Sequence, residues 1–103
     1  MIVVSVMYPA NQGSRFDMDY YLQKHVPLVG ALWKDCGLTE AKVLRGASAP
    51  GGAAPAYAAM ALVTFTSAAD FQRALDQHGQ EVLGDIPNFT NVQPVIQIND
   101  VML

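Results

Sequence analysis

Two residues one helical turn apart, Tyr21 and His25, are the side chains here most suited to acid–base chemistry. An imidazole, with an ordinary pKa near ~6.5, takes up and releases protons at neutral pH and so serves as general acid or base. A phenol four residues earlier on a helix lies on the same side, where its hydroxyl can orient the ring or hold a ligand oxygen. Each has a plain structural alternative. His25 could be a satisfied core residue with one ring nitrogen bonded to a carbonyl or a tyrosine hydroxyl. Tyr21 could be the N4 half of a hydrophobic staple with Phe16. Trp33, further along the same stretch, could wall a pocket for an aromatic ligand or simply fill the core. Gln97 and Asn99 are polar positions on an otherwise apolar strand, and either line a cavity or face solvent at a sheet end.

The element that must position His25 is a long helix starting at Asp17, a good N-cap, with Asp19 adding negative charge to the first turn. At about 100° per residue, Met18, Leu22, Val26, Val29, Leu32, Trp33 and Cys36 gather on one face. His25 falls inside that stripe and Tyr21 at its edge. Pro27 lies on the outer face and should bend the helix or remove one of its bonds. Gly37 is a natural stop. Asp17 and Asp19 are accordingly helix-start residues.

Around this helix the chain reads as four strands and one further helix. Ile2 to Tyr8 is a continuous apolar run, a strand buried on both faces. Leu38 to Gly46, Ala56 to Thr66 and Asn91 to Val101 are the others, the second and third joined by an Ala/Gly/Pro-rich hairpin loop. Ser67 with Asp70 resembles a capping box and opens a second helix that Gly79 is expected to close, placing His78 at its C-terminal end. The order βαββαβ is the ferredoxin-like α+β pattern. The right-handed crossover rule then puts both helices on one face of a four-stranded antiparallel sheet. The other face is apolar and needs a cover, which a second copy's sheet would supply in a dimeric α/β barrel.

Composition narrows the field. One domain spanning residues 1–103 is expected at this length. A net charge of −3 with only six Lys and Arg argues against nucleic acid and against anionic lipid. No apolar run reaches the ~18 residues of a membrane span. Met1 leads straight into a strand-like segment without the features of a secretory leader, and the single Cys36 has no partner. The expectation is a cytoplasmic protein with a buried, inert thiol. No Cys pair, HxxxH or acidic cluster supports a metal, and Gly51-Gly52 has no helix behind it to take a phosphate. Counting Gly and leaving out Tyr, 57 of 103 residues are apolar, about 55% against a typical ~45–50%, a surplus for so small a domain that points to association.

The segment Phe16-Asp17-x-x-Tyr20-Tyr21-x-x-x-His25-x-Pro27-Leu28, preceded by Val3-Val4-Ser5-Val6-Met7-Tyr8-Pro9, resembles the EthD-type proteins of the dimeric α/β barrel superfamily. The resemblance covers essentially the whole chain. It implies a small homodimer associated with oxidative degradation systems, including ether breakdown by a cytochrome P450 system. Related branches include metal-free monooxygenases, lactone isomerases, and dehydratases or cyclases acting on polyketide-like aromatics. Haem binding occurs elsewhere in the superfamily, with His25 the candidate axial ligand here. Taken together, the resemblance and the residues imply a cofactor-independent protein binding a small hydrophobic oxygenated compound, with His25 moving a proton and Tyr21, Trp33, Gln97 and Asn99 around the ligand. The alternative is a non-catalytic accessory protein of an oxidative system. Fold alone does not choose between them.

Overall fold

A computed structural model describes all 103 residues. Strand β1 (Ile2–Pro9) is followed by a composite helix, α1 (residues 18–36), then β2 (Leu38–Arg45), β3 (Tyr57–Phe65), helix α2 (Ala68–Gly84) and β4 (Val95–Asp100). The sheet order is β2-β3-β1-β4, antiparallel throughout. This is the ferredoxin-like arrangement expected from the element order.

Register fixes which side chains share a face, because opposed residues of an antiparallel pair point the same way. Val6 opposes both Ala61 and Ile96, and Tyr8 opposes Ala59, so these residues face the helices together with Ile2, Val4, Val63 and Phe65. Val3, Ser5 and Met7 take the outer face with Thr64, Leu62, Met60, Val95, Gln97 and Asn99. The core divides into two clusters. One joins Ile2, Val4 and Phe65 to Trp33, Phe71 and Ala74. The other gathers Tyr8, Tyr21, Ala59, Ile86 and Phe89 at the far end of the helix layer.

Asp17 caps α1 as its type predicts, its side chain accepting from the Tyr20 amide at 3.0 Å. The helix is not regular. After one α turn, Tyr21–His25 adopt a wide π turn in which the Val26 amide bonds back to the Tyr21 carbonyl, and α geometry resumes over Val26–Trp33. Pro27 supplies the reason, since it has no amide to give and its ring crowds the carbonyl four residues back. The wide turn changes the helix phase. Leu22, expected in the apolar stripe, is 48% exposed, whereas Tyr21, expected at its edge, is buried. Gly37 ends the helix with φ +89°, and a Cβ there would strike the Asp70 side chain.

Helix α2 starts as expected, Ser67 Oγ accepting from the Asp70 amide at 3.1 Å. It does not stop at Gly79. It continues to Gly84, because Gly79 is a buried helical position over Leu75 and not a terminus. Packing of Val82 into the core outweighs the intrinsic cost of one helical glycine, roughly 1 kcal/mol. His78 therefore lies mid-helix, with Nδ1 3.2 Å from Glu81 Oε2. The last strand is shorter than the sequence suggests, beginning at Val95. Residues 89–92 instead bind the start of α1. The Asp17 amide donates to the Phe89 carbonyl at 2.7 Å, and the Arg15 amide donates to Asn91 Oδ1 at 2.8 Å.

Candidate active site

Those bonds hold the turn that follows α2 against the first turns of α1, and a carboxylate and an imidazole meet there. Asp85 is the C-cap of α2 and leads into a 3₁₀ turn, Ile86–Asn88. Its Oδ2 lies 2.9 Å from His25 Nδ1. Its Oδ1 accepts from the Tyr20 hydroxyl at 2.8 Å and from Asn88 Nδ2 at 2.9 Å. A carboxylate at the C-terminus of a 17-residue helix sits at the negative end of the dipole, the unfavourable end. Partial burial raises its pKa, but the hydrogen bonds from Asn88, His25 and Tyr20 outweigh this and hold it below the ordinary carboxylate value. Asp85 is thus ionised at neutral pH and can only accept. Nδ1 of His25 must then carry the proton, which leaves the lone pair of the neutral ring on Nε2.

His25 is 4% exposed, its ring stacked on Tyr21 (centroids 5.5 Å apart, planes at 19°) and against Phe89 (4.6 Å). It borders a cavity of about 160 Å³ between helices and sheet. Of 19 lining residues 17 are hydrophobic, and only His25 and Gly30 are not. A dry cavity of ~150 Å³ accepts benzene, so this one has room for a single ring. A four-ring haem does not fit it. Tyr8 and Tyr21 are the other lining residues that carry a hydroxyl. Burial pushes the Tyr21 hydroxyl up to about 12 and raises that of Tyr8 further, with a contribution from nearby Tyr21. Both are neutral donors across the physiological range.

Of the residues singled out in the sequence, the fold brings His25, Tyr21 and Trp33 to this cavity. Trp33 is also core, its Nε1 donating to the Ala74 carbonyl at 3.1 Å and its ring set edge-on to Phe65 and Phe71. Gln97 and Asn99 do not join them. They oppose Ser5 and Val3 on the outer face of the sheet, where Asn99 Nδ2 donates to the Val3 carbonyl and to Ser5 Oγ. Their neighbour Ile96 reaches the cavity instead. Cys36 is buried, its thiol directed at Gln77 Oε1, and no three His, Cys, Asp or Glu residues gather as a metal site. Sequence reasoning misses Asp85, Asn88 and Tyr8. Closing α2 at Gly79 leaves Asp85 in a loop, where an acid carries no signal. Continued to Gly84, the helix ends on an acid, and that anomaly would have marked it.

No curated protein matches the chain. Among solved structures, an EthD-like protein from Ralstonia eutropha JMP134 is 41% identical over 99% of this chain and 92% of its own, with a TM-score of 0.91. An ethyl tert-butyl ether D (EthD) family protein from Bacillus halodurans C-125 is 21% identical, covers 99% of both chains and gives a TM-score of 0.75. SnoaB from Streptomyces nogalater, a cofactor-independent oxygenase crystallised as a mutant, shares the fold at 14% identity, covering 99% of this chain and 91% of its own (TM-score 0.56). The EthD domain model matches residues 12–93, which include the π turn, His25 and Asp85, and the chain belongs to the EthD family.

Proposed function

We propose that this EthD-family chain is a cofactor-independent enzyme that binds a small, largely apolar, oxygenated molecule between its helices and sheet, where His25 takes a proton from it. One observation carries the reading: an imidazole fixed by a carboxylate at Nδ1 borders an apolar cavity. That is the arrangement of an oriented general base. The proton passes from an acidic C–H or O–H of the ligand to Nε2, and the electron pair stays on the ligand as an enolate or phenolate. Asp85 stabilises the imidazolium so formed. Return of the proton at another carbon is an isomerisation. Addition of O₂ to the carbanionic carbon of the same anion, with the proton returned from His25, would give a hydroperoxide. Its loss of water would leave a new carbonyl, an oxygenation in line with the activity named for SnoaB.

The chain is further proposed to act as a homodimer. Both helices pack on one face of the sheet, and the other presents Val3, Met7, Met60, Leu62 and Val95, which no element of the chain covers. A second sheet laid on this face would cover them. No helix is long and apolar enough to cross a membrane.

The test is solvent deuterium uptake at the α-carbon of single-ring cyclic ketones, followed by NMR, with wild type and His25→Gln. Uptake above the buffer rate that falls roughly 10²- to 10⁴-fold in the variant is expected. Binding without uptake, unchanged in His25→Gln, would instead favour a non-catalytic accessory role. No binding by any ligand that fits would remove both readings.

A further inference from the structure

We infer that Tyr8 and Tyr21 together form a neutral two-hydroxyl clamp for one oxygen of the ligand, selecting single-ring phenols or enolisable cyclic ketones that bind with negative charge on that oxygen. The inference rests on the cavity being the ligand site, as proposed above.

Tyr8 is 1% exposed and Tyr21 2%, yet neither hydroxyl donates to any backbone or side-chain group of the chain. No side-chain oxygen is both sealed off and unpaired, so each hydroxyl keeps some open surface, and both residues line the cavity. The rings come from different elements, Tyr8 from the end of β1 and Tyr21 from the π turn, and meet edge to face with centroids 5.9 Å apart. Phe16 and Phe89 pack edge-on against Tyr8, at 5.1 and 5.6 Å, and limit its movement. Tyr21 in turn stacks on His25, so hydroxyls and base border the same space.

Chemistry narrows the occupant. Two neutral O–H donors in an apolar enclosure stabilise a developing oxyanion far better than bulk water does, because they are already in place. No Lys or Arg lines the cavity, so a carboxylate would be buried without a counter-charge and is disfavoured. A phenolate or enolate differs, since its charge can form after entry by transfer of its own proton to His25. The volume holds the ligand to one ring.

Binding of fluorophenols of nearly constant size and rising acidity, with fluorobenzene as the oxygen-free control, separates the possibilities by ¹⁹F NMR. Wild type should bind each phenol more tightly than fluorobenzene, with affinity rising along the acidity series. Tyr8→Phe and Tyr21→Phe should each weaken the phenols by roughly tenfold or more and leave fluorobenzene unchanged. Circular dichroism of the folded variants removes misfolding as a cause, and the wild-type comparison needs no variant. Equal affinity for phenols and fluorobenzene would overturn the clamp, as would phenol affinity that survives the double Phe substitution. Neither result depends on deuterium uptake. A clamp found without uptake would sink only proton transfer by His25, and uptake without phenol preference would sink only the clamp.

Discussion

His25 Nδ1 and Asp85 Oδ2 lie 2.9 Å apart although 60 residues separate them in the chain. The contact joins the π turn of α1 to the C-cap of α2, each a departure from regular helix rules. The wide turn precedes a proline, and the acid stands at the wrong end of its helix. Both departures meet in one geometry, an imidazole bonded through Nδ1 to a carboxylate at the border of the cavity. Local rules are commonly broken where function needs a particular placement.

In the proposed mechanism Asp85 acts through His25 and touches no ligand, so its removal should alter kcat and leave KM alone. In Asp85→Asn the amide can donate to Nδ1, which favours the tautomer with its proton on Nε2, where it is useless as a base. Deuterium uptake by a bound ketone should fall roughly 10²- to 10⁴-fold at unchanged KM. Asp85→Glu should recover part of the rate, which a purely structural role would not explain. An unchanged uptake rate in Asp85→Asn would remove the carboxylate from the mechanism.

The same carboxylate makes a signed prediction for acid stability. Its folded-state pKa lies below the ordinary value of 3.8, so the folded protein holds fewer protons than the unfolded chain in that range. The stabilisation is complete above the ordinary value and is lost as pH falls through the lowered one. Urea unfolding of wild type and Asp85→Asn should therefore converge as pH drops below about 4. A stability gap that stays constant from pH 7 to 3 would refute the linkage.

The fold is legible in the sequence because strand alternation, the Asp17 and Ser67 caps and the Gly37 stop are local signals that packing does not override. The site is half legible. His25, Tyr21 and Trp33 fall on one helix face, though a uniform 100° projection cannot see that the π turn buries Tyr21 and exposes Leu22. Asp85 is invisible because Gly79 has the look of a terminus, whereas it is a buried interior position whose cost tertiary packing absorbs. Gln97 and Asn99 stand out as polar positions in an apolar strand. Which face they occupy depends on the register with β1, a long-range property that period alone does not reveal.

Thermal unfolding of His25→Leu at equal protein concentration should show a loss of about 1–3 kcal/mol, the cost of removing a hydrogen bond to a charged group. For a domain of this size each kcal/mol corresponds to roughly 4–8 °C in Tm. Such a drop does not make the residue merely structural, because only Nδ1 serves the fold. An undiminished Tm would mean that the Asp85 contact contributes nothing, and the oriented-base reading would lose its geometric basis.

The outer sheet face predicts its own variant. Leu62 opposes Ser5 at its centre, beyond reach of the helices and the cavity. Leu62→Asp should convert a dimer to a monomer in sedimentation, since two carboxylates would be buried across the joint. Wild-type Tm should rise with protein concentration and the variant's should not. A wild type that sediments as a monomer at micromolar concentration would end the dimer proposal.

Alkaline titration examines the two cavity tyrosines together. The Tyr21 hydroxyl is pushed from an ordinary 10.0 to about 12, and that of Tyr8 is raised as well, so the folded state keeps protons that the unfolded chain releases. Folded pKa values above unfolded ones mean that stability is whole below pH 10 and declines as pH rises from 10 toward 12. Denaturant unfolding should show this decline in wild type. The Tyr8→Phe/Tyr21→Phe double variant should lose most of the slope, leaving what Tyr20 contributes through its bond to Asp85. Ultraviolet difference spectra of wild type against the double variant should show Tyr8 and Tyr21 ionising late, in step with unfolding. If Tyr8 and Tyr21 ionise near pH 10 while the chain remains folded, their hydroxyls are in water, and the apolar cavity on which the site depends is not there.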